Sequence, residues 1–418
     1  MVNNQNMKPY PAYKPSGVPW LGDIPAHWDV RRLRLMANIL DIKLLEKPLE
    51  SIYLGLENIE SKTGKLLIDV PVEHVESSVN VFRPGNILFG KLRPYLAKVA
   101  HPDFDGVCTT EILVIDPKSG LINRFLFYIV LSDGFIKSVD AMTYGTRMPR
   151  ANKDQIGNMV ITLPPLAEQQ AIAAYLDGET ARLDALADRY RRLLALLDEK
   201  RRALITHAVT RGLNPAAPLK DSGIEWLGQI PAHWEVKSIW MLFTLGRGRV
   251  ISNNEIQDNI GPYPVYSSQT SDNGVLGYIK TYDFSGDYLT WTTDGANAGT
   301  VFFRTGYFNC TNVCGTMKPR VREQDIKFIC YSLNSITSRF VRYDINPKLM
   351  NNVMARIKIQ YPPLPEQKAI AEYLDQETAH LDDLKAKIET LLARLGEHRA
   401  ALISAAVTGK MDVRRPAG

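Results

Sequence analysis

Several stretches of this 418-residue chain carry residue types able to do chemistry. The run PDFDGVCTTE, 102–111, spaces carboxylates as a nuclease would, but no lysine follows two residues after Glu111. TLPPLA and QYPPLP hold the Pro-Pro pair of an amino-methyltransferase loop, with neither its leading amide or acid nor its closing aromatic. No Gly-x-x-x-x-Gly-Lys-Ser/Thr loop occurs, which excludes the usual ATP motor. GRGRVI at Gly246 lacks the third glycine of a dinucleotide fingerprint. His27 and His233 have no second histidine, cysteine or carboxylate at ligand spacing, so no metal site is expected. Cys108, Cys310, Cys314 and Cys330 lack Cys-x-x-Cys spacing and read as reduced, mostly buried thiols. These residues assemble into no catalytic set.

A different chemistry is spread through two other regions. Arginine reads guanine with two hydrogen bonds, Asn or Gln reads adenine, and Ser, Thr and Lys hold phosphates. In the first region GKLRPY offers Lys91, Arg93 and Tyr95, and YGTRMPRANK offers Tyr144, Thr146, Arg147, Arg150, Asn152 and Lys153. In the second, YSSQTSDNG offers Ser267, Ser268 and Gln269, and TTDGANAG offers Thr292, Thr293 and Asn297. INPKLMNN adds Asn346, Lys348 and Asn351. A net charge of +5 and a pI near 8.8 are compatible with a polyanionic partner.

The elements that must position these residues come twice. SGVPWLGDIPAHWDV (Ser16–Val30) returns as SGIEWLGQIPAHWEV (Ser222–Val236), identical at eleven of fifteen positions and offset by 206. LPPLAEQQAIAAYLDGETARLDAL (Leu163–Leu186) returns as YPPLPEQKAIAEYLDQETAHLDDL (Tyr361–Leu384), identical at seventeen of twenty-four and offset by 198. The order is preamble, variable region, helix, then the same again. The four tryptophans of the preambles read as apolar anchors that pin each domain's entrance. Each helix starts after a Pro-Pro pair, which the first turn tolerates. A seven-residue seam follows: Leu176, Leu183, Leu186, Tyr190, Leu193, Leu197 and Leu204 in the first, and Leu374, Leu381, Leu384, Ile388, Leu391, Leu395 and Leu402 in the second. A stripe this narrow predicts coiled-coil packing. Helices of about 45 residues make rods of roughly 65–70 Å, expected to pair antiparallel with a variable domain at each end.

The variable regions, 31–162 and 237–360, mix short β-rich runs with turns and one helix each. Val-Cys-x-Thr at 107–110 and at 313–316 suggests that the two are related. The expected fold class is α/β: two target-recognition domains with bent, β-rich sheets, joined by two long helices pairing as an antiparallel coiled coil. The expected division is 1–165 first domain, 166–212 central helix, 213–363 second domain and 364–411 C-terminal helix. Without a long apolar run or a signal-like N-terminus, a cytoplasmic protein is expected.

These motifs together closely resemble the specificity subunit of type I restriction–modification systems. The resemblance covers essentially the whole chain and rests on WLGDIPAHW and WLGQIPAHW, on LPPLAEQQAIAAYLD and PPLPEQKAIAEYLD, and on ETARLD and ETAHLD, which look like that family's Thr-Ala-x-Leu spacer element. GLENIE with GKLRPYLAKV looks like one target-recognition subfamily, and YPVYSSQTSDNGVLGYI with WTTDGANAGTVF like another. The resemblance implies a non-catalytic reader of double-stranded DNA, in which each domain reads half of a split, asymmetric site and the paired helices set the gap. It implies two methyltransferase subunits using S-adenosylmethionine and two translocase–nuclease subunits using ATP with Mg, and no cofactor on this chain. A single-chain restriction or modification enzyme and a coiled-coil adaptor between proteins are the competing readings.

Overall fold

The computed structural model describes residues 9–40, 42–44, 51–68, 78–143, 145, 148–343 and 346–414. The chain divides into two compact units: Met1–Tyr190 with Glu389–Gly418, and Arg191–Ile388. Each unit therefore owns one variable region and a part of both long helices.

In the first unit, Ala37–Leu40, Ile112–Pro117, Ile87–Gly90 and Val99–Ala100 form an antiparallel four-stranded sheet in that order. A second sheet orders Lys43–Leu44, Val79–Phe82, Gly106–Thr109 and Tyr53–Leu54, the last pair parallel. Behind the first sheet lies the helix Asn123–Leu131, in which every residue from Phe125 to Leu131 is buried. A helix apolar all round has to sit inside a core, and this one is the centre of the unit's main apolar cluster.

The second unit repeats the main sheet, with Phe243–Arg247, Cys314–Pro319, Tyr288–Thr292 and Val301–Arg304 in the same order. Its second sheet differs, ordering Val275–Ile279, Ile260–Tyr266, Tyr307–Cys310 and Phe284–Ser285. The relationship between the regions is therefore real, but it does not run through Val-Cys-x-Thr. Gly106–Thr109, which holds Cys108, has one parallel and one antiparallel neighbour and leads by a short turn into the last main-sheet strand in chain order. Tyr307–Cys310 does the same. Cys108 thus corresponds to Cys310, and the match with Cys314 is a local coincidence. All four cysteines are free thiols, Cys330 alone half-buried.

The long helices run Leu166–Arg211 and Leu364–Val407. Within each unit they pair antiparallel. In the first, Asp184 meets Arg399 at 3.0 Å. In the second, Asp382 meets Arg201 at 2.5 Å and Asp198 meets Lys385 at 2.6 Å. Asp184–Arg399 and Asp382–Arg201 are the same bridge under the 198-residue repeat.

The seam differs from its sequence reading in one row. Leu176, Leu183 and Leu197 are buried, as are Leu374, Leu381, Ile388 and Leu402, while Tyr190, Leu204 and Leu395 are half-buried. Leu186 and Leu193 stand 38% exposed, Leu391 39%, and Leu384 is only half-buried. The second row falls four residues after each first-row position rather than three: Thr180, Ala187, Leu194 and Arg201, then Thr378, Lys385, Leu392 and Arg399, all at least half-buried. Five of these eight are polar, so apolar periodicity favoured the exposed leucines instead. The arginines bury their stems in it and reach an acid across the seam.

Candidate nucleic-acid interface

The second tryptophan of each preamble fixes the start of a long helix. Trp28 is fully buried and its Nε1 donates to Glu168 at 3.1 Å; His27 Nε2 lies 2.9 Å from the same carboxylate. Trp234 and His233 repeat this on Glu366, at 2.9 and 2.6 Å. The next residue in each helix ties it to its domain: Gln169 accepts from Ile122 N and donates to Gly120 O and Pro164 O, and Gln367 accepts from Asp325 N and donates to Pro362 O. Both histidines therefore serve as anchors, and no cluster of metal-binding side chains occurs among the described residues.

On that frame the first unit opens a cleft of about 610 Å³ between its two sheets, whose wall includes Lys91, Arg150, Asn152 and Lys153. Two backbone links bring these residues together from 56 and 60 positions apart: Arg93 N donates to Pro149 O, and Ala151 N to Lys91 O. Arg93 is exposed, with a left-handed backbone (φ 51°) that turns the chain into the short helix bearing the exposed Tyr95. Arg150 is exposed and held by Glu111 at 3.0 Å, which aims its guanidinium. Asn152 is exposed on the same wall. Its side chain caps the helix Lys153–Asn158 by accepting from Asp154 N, a standard use of asparagine at that position. Tyr144, Thr146 and Arg147 lie outside the described residues. The cleft also holds Lys43 and Asn80, which the sequence reading missed. Asn80 is buried, donates to Ile112 O and leaves its Oδ1 without a partner. No local motif marks either residue.

The second unit treats its candidates differently. Thr292 and Thr293 are each 1% exposed, their hydroxyls given to Asn297 O and Asp294 Oδ2. They hold the TTDGANAG turn and present nothing to a ligand. Ser267, Ser268 and Gln269 are half-buried: Ser267 Oγ lies 3.1 Å from Thr311 Oγ1, Ser268 donates to Val313 O and Gln269 to Val275 O. Asn351 donates to Gly246 O. Asn297, Asn346 and Lys348 remain exposed. Lys348 lies 3.6 Å from Asp294, whose other oxygen meets Arg247 at 3.7 Å, and its backbone pairs with Arg342. Arg247 joins this polar surface from a distant segment, and Arg342 from just before Lys348 in the chain. The one signal for Arg247 was GRGRVI, weighed only as a nucleotide loop.

A family model described as the type I restriction modification DNA specificity domain matches residues 75–189 and again 231–394. Relatives come from Mycoplasma pneumoniae. Putative type I specificity subunit S.MpnORF615P is 34% identical over 220 residues, 52% of this chain and 81% of that protein. Putative type I specificity subunit S.MpnORF507P is 43% identical over 143 residues, and this chain spans only 39% of its length. Among solved structures, one from a study of complex assembly and conformational transition of the type I R-M system matches with a TM-score of 0.69 at 22% identity, over 92% of this chain and 98% of that one. The HsdS subunit from Thermoanaerobacter tengcongensis matches at 0.51 and 20%, over 93% and 98%. At these identities the likeness is one of fold.

Proposed function

The chain belongs to the type I restriction–modification DNA specificity family, and from that premise we propose that it is the DNA-reading subunit of such a complex. Each target-recognition domain takes one half of a bipartite, asymmetric site. The carrying observation is the basic cleft of the first unit, where Lys91, Arg150 and Lys153 converge on one wall. The second unit keeps the same main sheet but offers an unlike surface around Arg247, Asp294 and Lys348. One scaffold with two different surfaces suits two unlike half-sites. On this reading the paired helices set the gap, and two methyltransferase subunits bring S-adenosylmethionine. Two translocase–nuclease subunits bring ATP and Mg. DNA cutting and methylation belong to those partners.

The test is DNA binding by the purified chain, alone and with its methyltransferase, on duplexes bearing its site, across a salt series. Counterion release by a reader gives a steep fall of log K with log salt. Lys91→Ala should reduce that slope by about one and weaken all sequences alike, whereas Arg150→Ala should cost about 1–3 kcal/mol and relax one position of one half-site. A salt-independent affinity, or methyl transfer by the chain alone, would contradict the proposal.

A further inference from the structure

The two helix-start glutamates sit in unlike surroundings. Glu168, 3% exposed, receives not only Trp28 and His27 but also the Tyr10 hydroxyl at 2.5 Å, with Arg414 Nη1 at 3.4 Å. Tyr10 is buried edge-on to Trp28 at 5.6 Å, and the Arg414 guanidinium lies over its ring at 5.3 Å. Glu366 has Trp234 and His233, yet remains 41% exposed. Beside it opens a pocket of about 310 Å³, walled by Arg211, Leu213, Asn214, His233, Glu366 and Ile370.

The repeat explains the pocket. In the first unit two separate segments reach the glutamate, one before the preamble with Tyr10 and one after the second long helix with Arg414. In the second unit a single linker does both jobs, running from the first long helix directly into the strand Leu219–Asp221. The preamble offset of 206 carries Tyr10 onto Ala216, and the helix offset of 198 carries Arg414 onto the same Ala216. One exposed alanine stands where the other unit has a phenol and a guanidinium. Arg211 on the wall already brings a guanidinium. What the pocket lacks is the phenol.

We propose that the pocket beside Glu366 is a docking site for a tyrosine side chain presented by a partner polypeptide, its ring lying over Ile370 and its hydroxyl donating to the Glu366 carboxylate. The chemistry follows from the molecule's own filled copy: an acceptor carboxylate corresponding to Glu168, which takes the Tyr10 hydroxyl, and an aliphatic wall at Ile370, the repeat counterpart of the buried Ile172. Burial of a hydroxyl there is tolerable only because the carboxylate accepts it. This inference rests on the geometry of the second unit and is independent of the DNA-reading assignment.

The probe is the tripeptide acetyl-Pro-Tyr-Pro-amide, copied from residues 9–11, titrated into the full-length chain while tryptophan fluorescence is followed. The expected result is weak, saturable binding, at least tenfold weaker for the Phe version, and abolished by Ala216→Tyr, which fills the pocket from within. Glu366→Gln should weaken binding without abolishing it. Ala216→Tyr should also raise Tm, which shows that this variant folds. Unchanged binding to Ala216→Tyr, or equal binding of the Tyr and Phe peptides, would overturn the proposal. Equal affinity for free p-cresol would reduce the site to one for a small phenol and would overturn the polypeptide as its occupant.

Discussion

Tyr128 and Tyr331 occupy equivalent places in the two units and do the same work. Tyr128 donates to Asp177 at 2.6 Å and lies 3.2 Å from Thr180; Tyr331 donates to Asp375 at 2.8 Å and lies 3.3 Å from Thr378. Each fastens a domain helix to the opening turns of a long helix. Burial is the main reason both phenols are pushed up to about 12, and the neighbouring aspartate adds to it. Since each folded value lies above the unfolded value of about 10, the folded state holds these protons more tightly. Their contribution is complete below pH 10 and is lost as pH rises from 10 towards 12. Tm should therefore fall steeply over that window, and Tyr128→Phe with Tyr331→Phe, though lower in Tm at pH 8, should flatten the fall. An unaltered alkaline slope in the double variant would show that the phenols do not control it. At this scale the sequence disclosed the tryptophan anchors, because two repeated copies of a large apolar residue need a common structural reason. Their acceptors Glu168 and Glu366 were hidden by more than 130 intervening residues. Thr292 and Thr293 looked like phosphate holders because a hydroxyl has the same letter whether it faces solvent or its own turn.

The long helices gain stability along a mixed seam, part leucine and part arginine–aspartate, and two glycines interrupt them on exposed positions. Gly178 and Gly396 each have open space where a Cβ would sit. Glycine in a helix interior costs about 0.5–1 kcal/mol relative to alanine. Gly178→Ala and Gly396→Ala should each raise unfolding free energy by about that amount, read from denaturant midpoints at constant slope. No gain, or a loss, would mean that the glycine is needed for bending or contact. The helices and their antiparallel pairing could be read from the Pro-Pro starts and the shared leucine row. The second row could not, since Thr180, Arg201, Lys385 and Arg399 enter it through side-chain stems and hydroxyls that apolar periodicity does not count.

Across the whole molecule, the duplicated preambles and helices disclosed a chain built twice. Its divergent second sheets left the recognition surfaces unreadable, because loop geometry decides which side chains converge: Lys91 meets Arg150 through backbone bonds no motif records. On the proposed reading the helix pair acts as a ruler. Duplicating Thr180–Leu183 adds one turn, about 6 Å, with about 40° of excess rotation. Two base pairs cover a similar length at roughly 3.4 Å each and turn the duplex by about 70°. The recognised gap should lengthen by one or two base pairs while both half-sites stay as they were; an active variant with an unchanged gap would rule the ruler out.

The central claim is that the two domains read DNA independently. Its most direct test replaces residues 31–162 with the matching region of another specificity subunit and maps methylated sites in a genome carrying the chimaera and its methyltransferase. The account predicts one new half-site, the other half-site preserved and the gap unchanged. Both halves changing together, or neither changing, would contradict it.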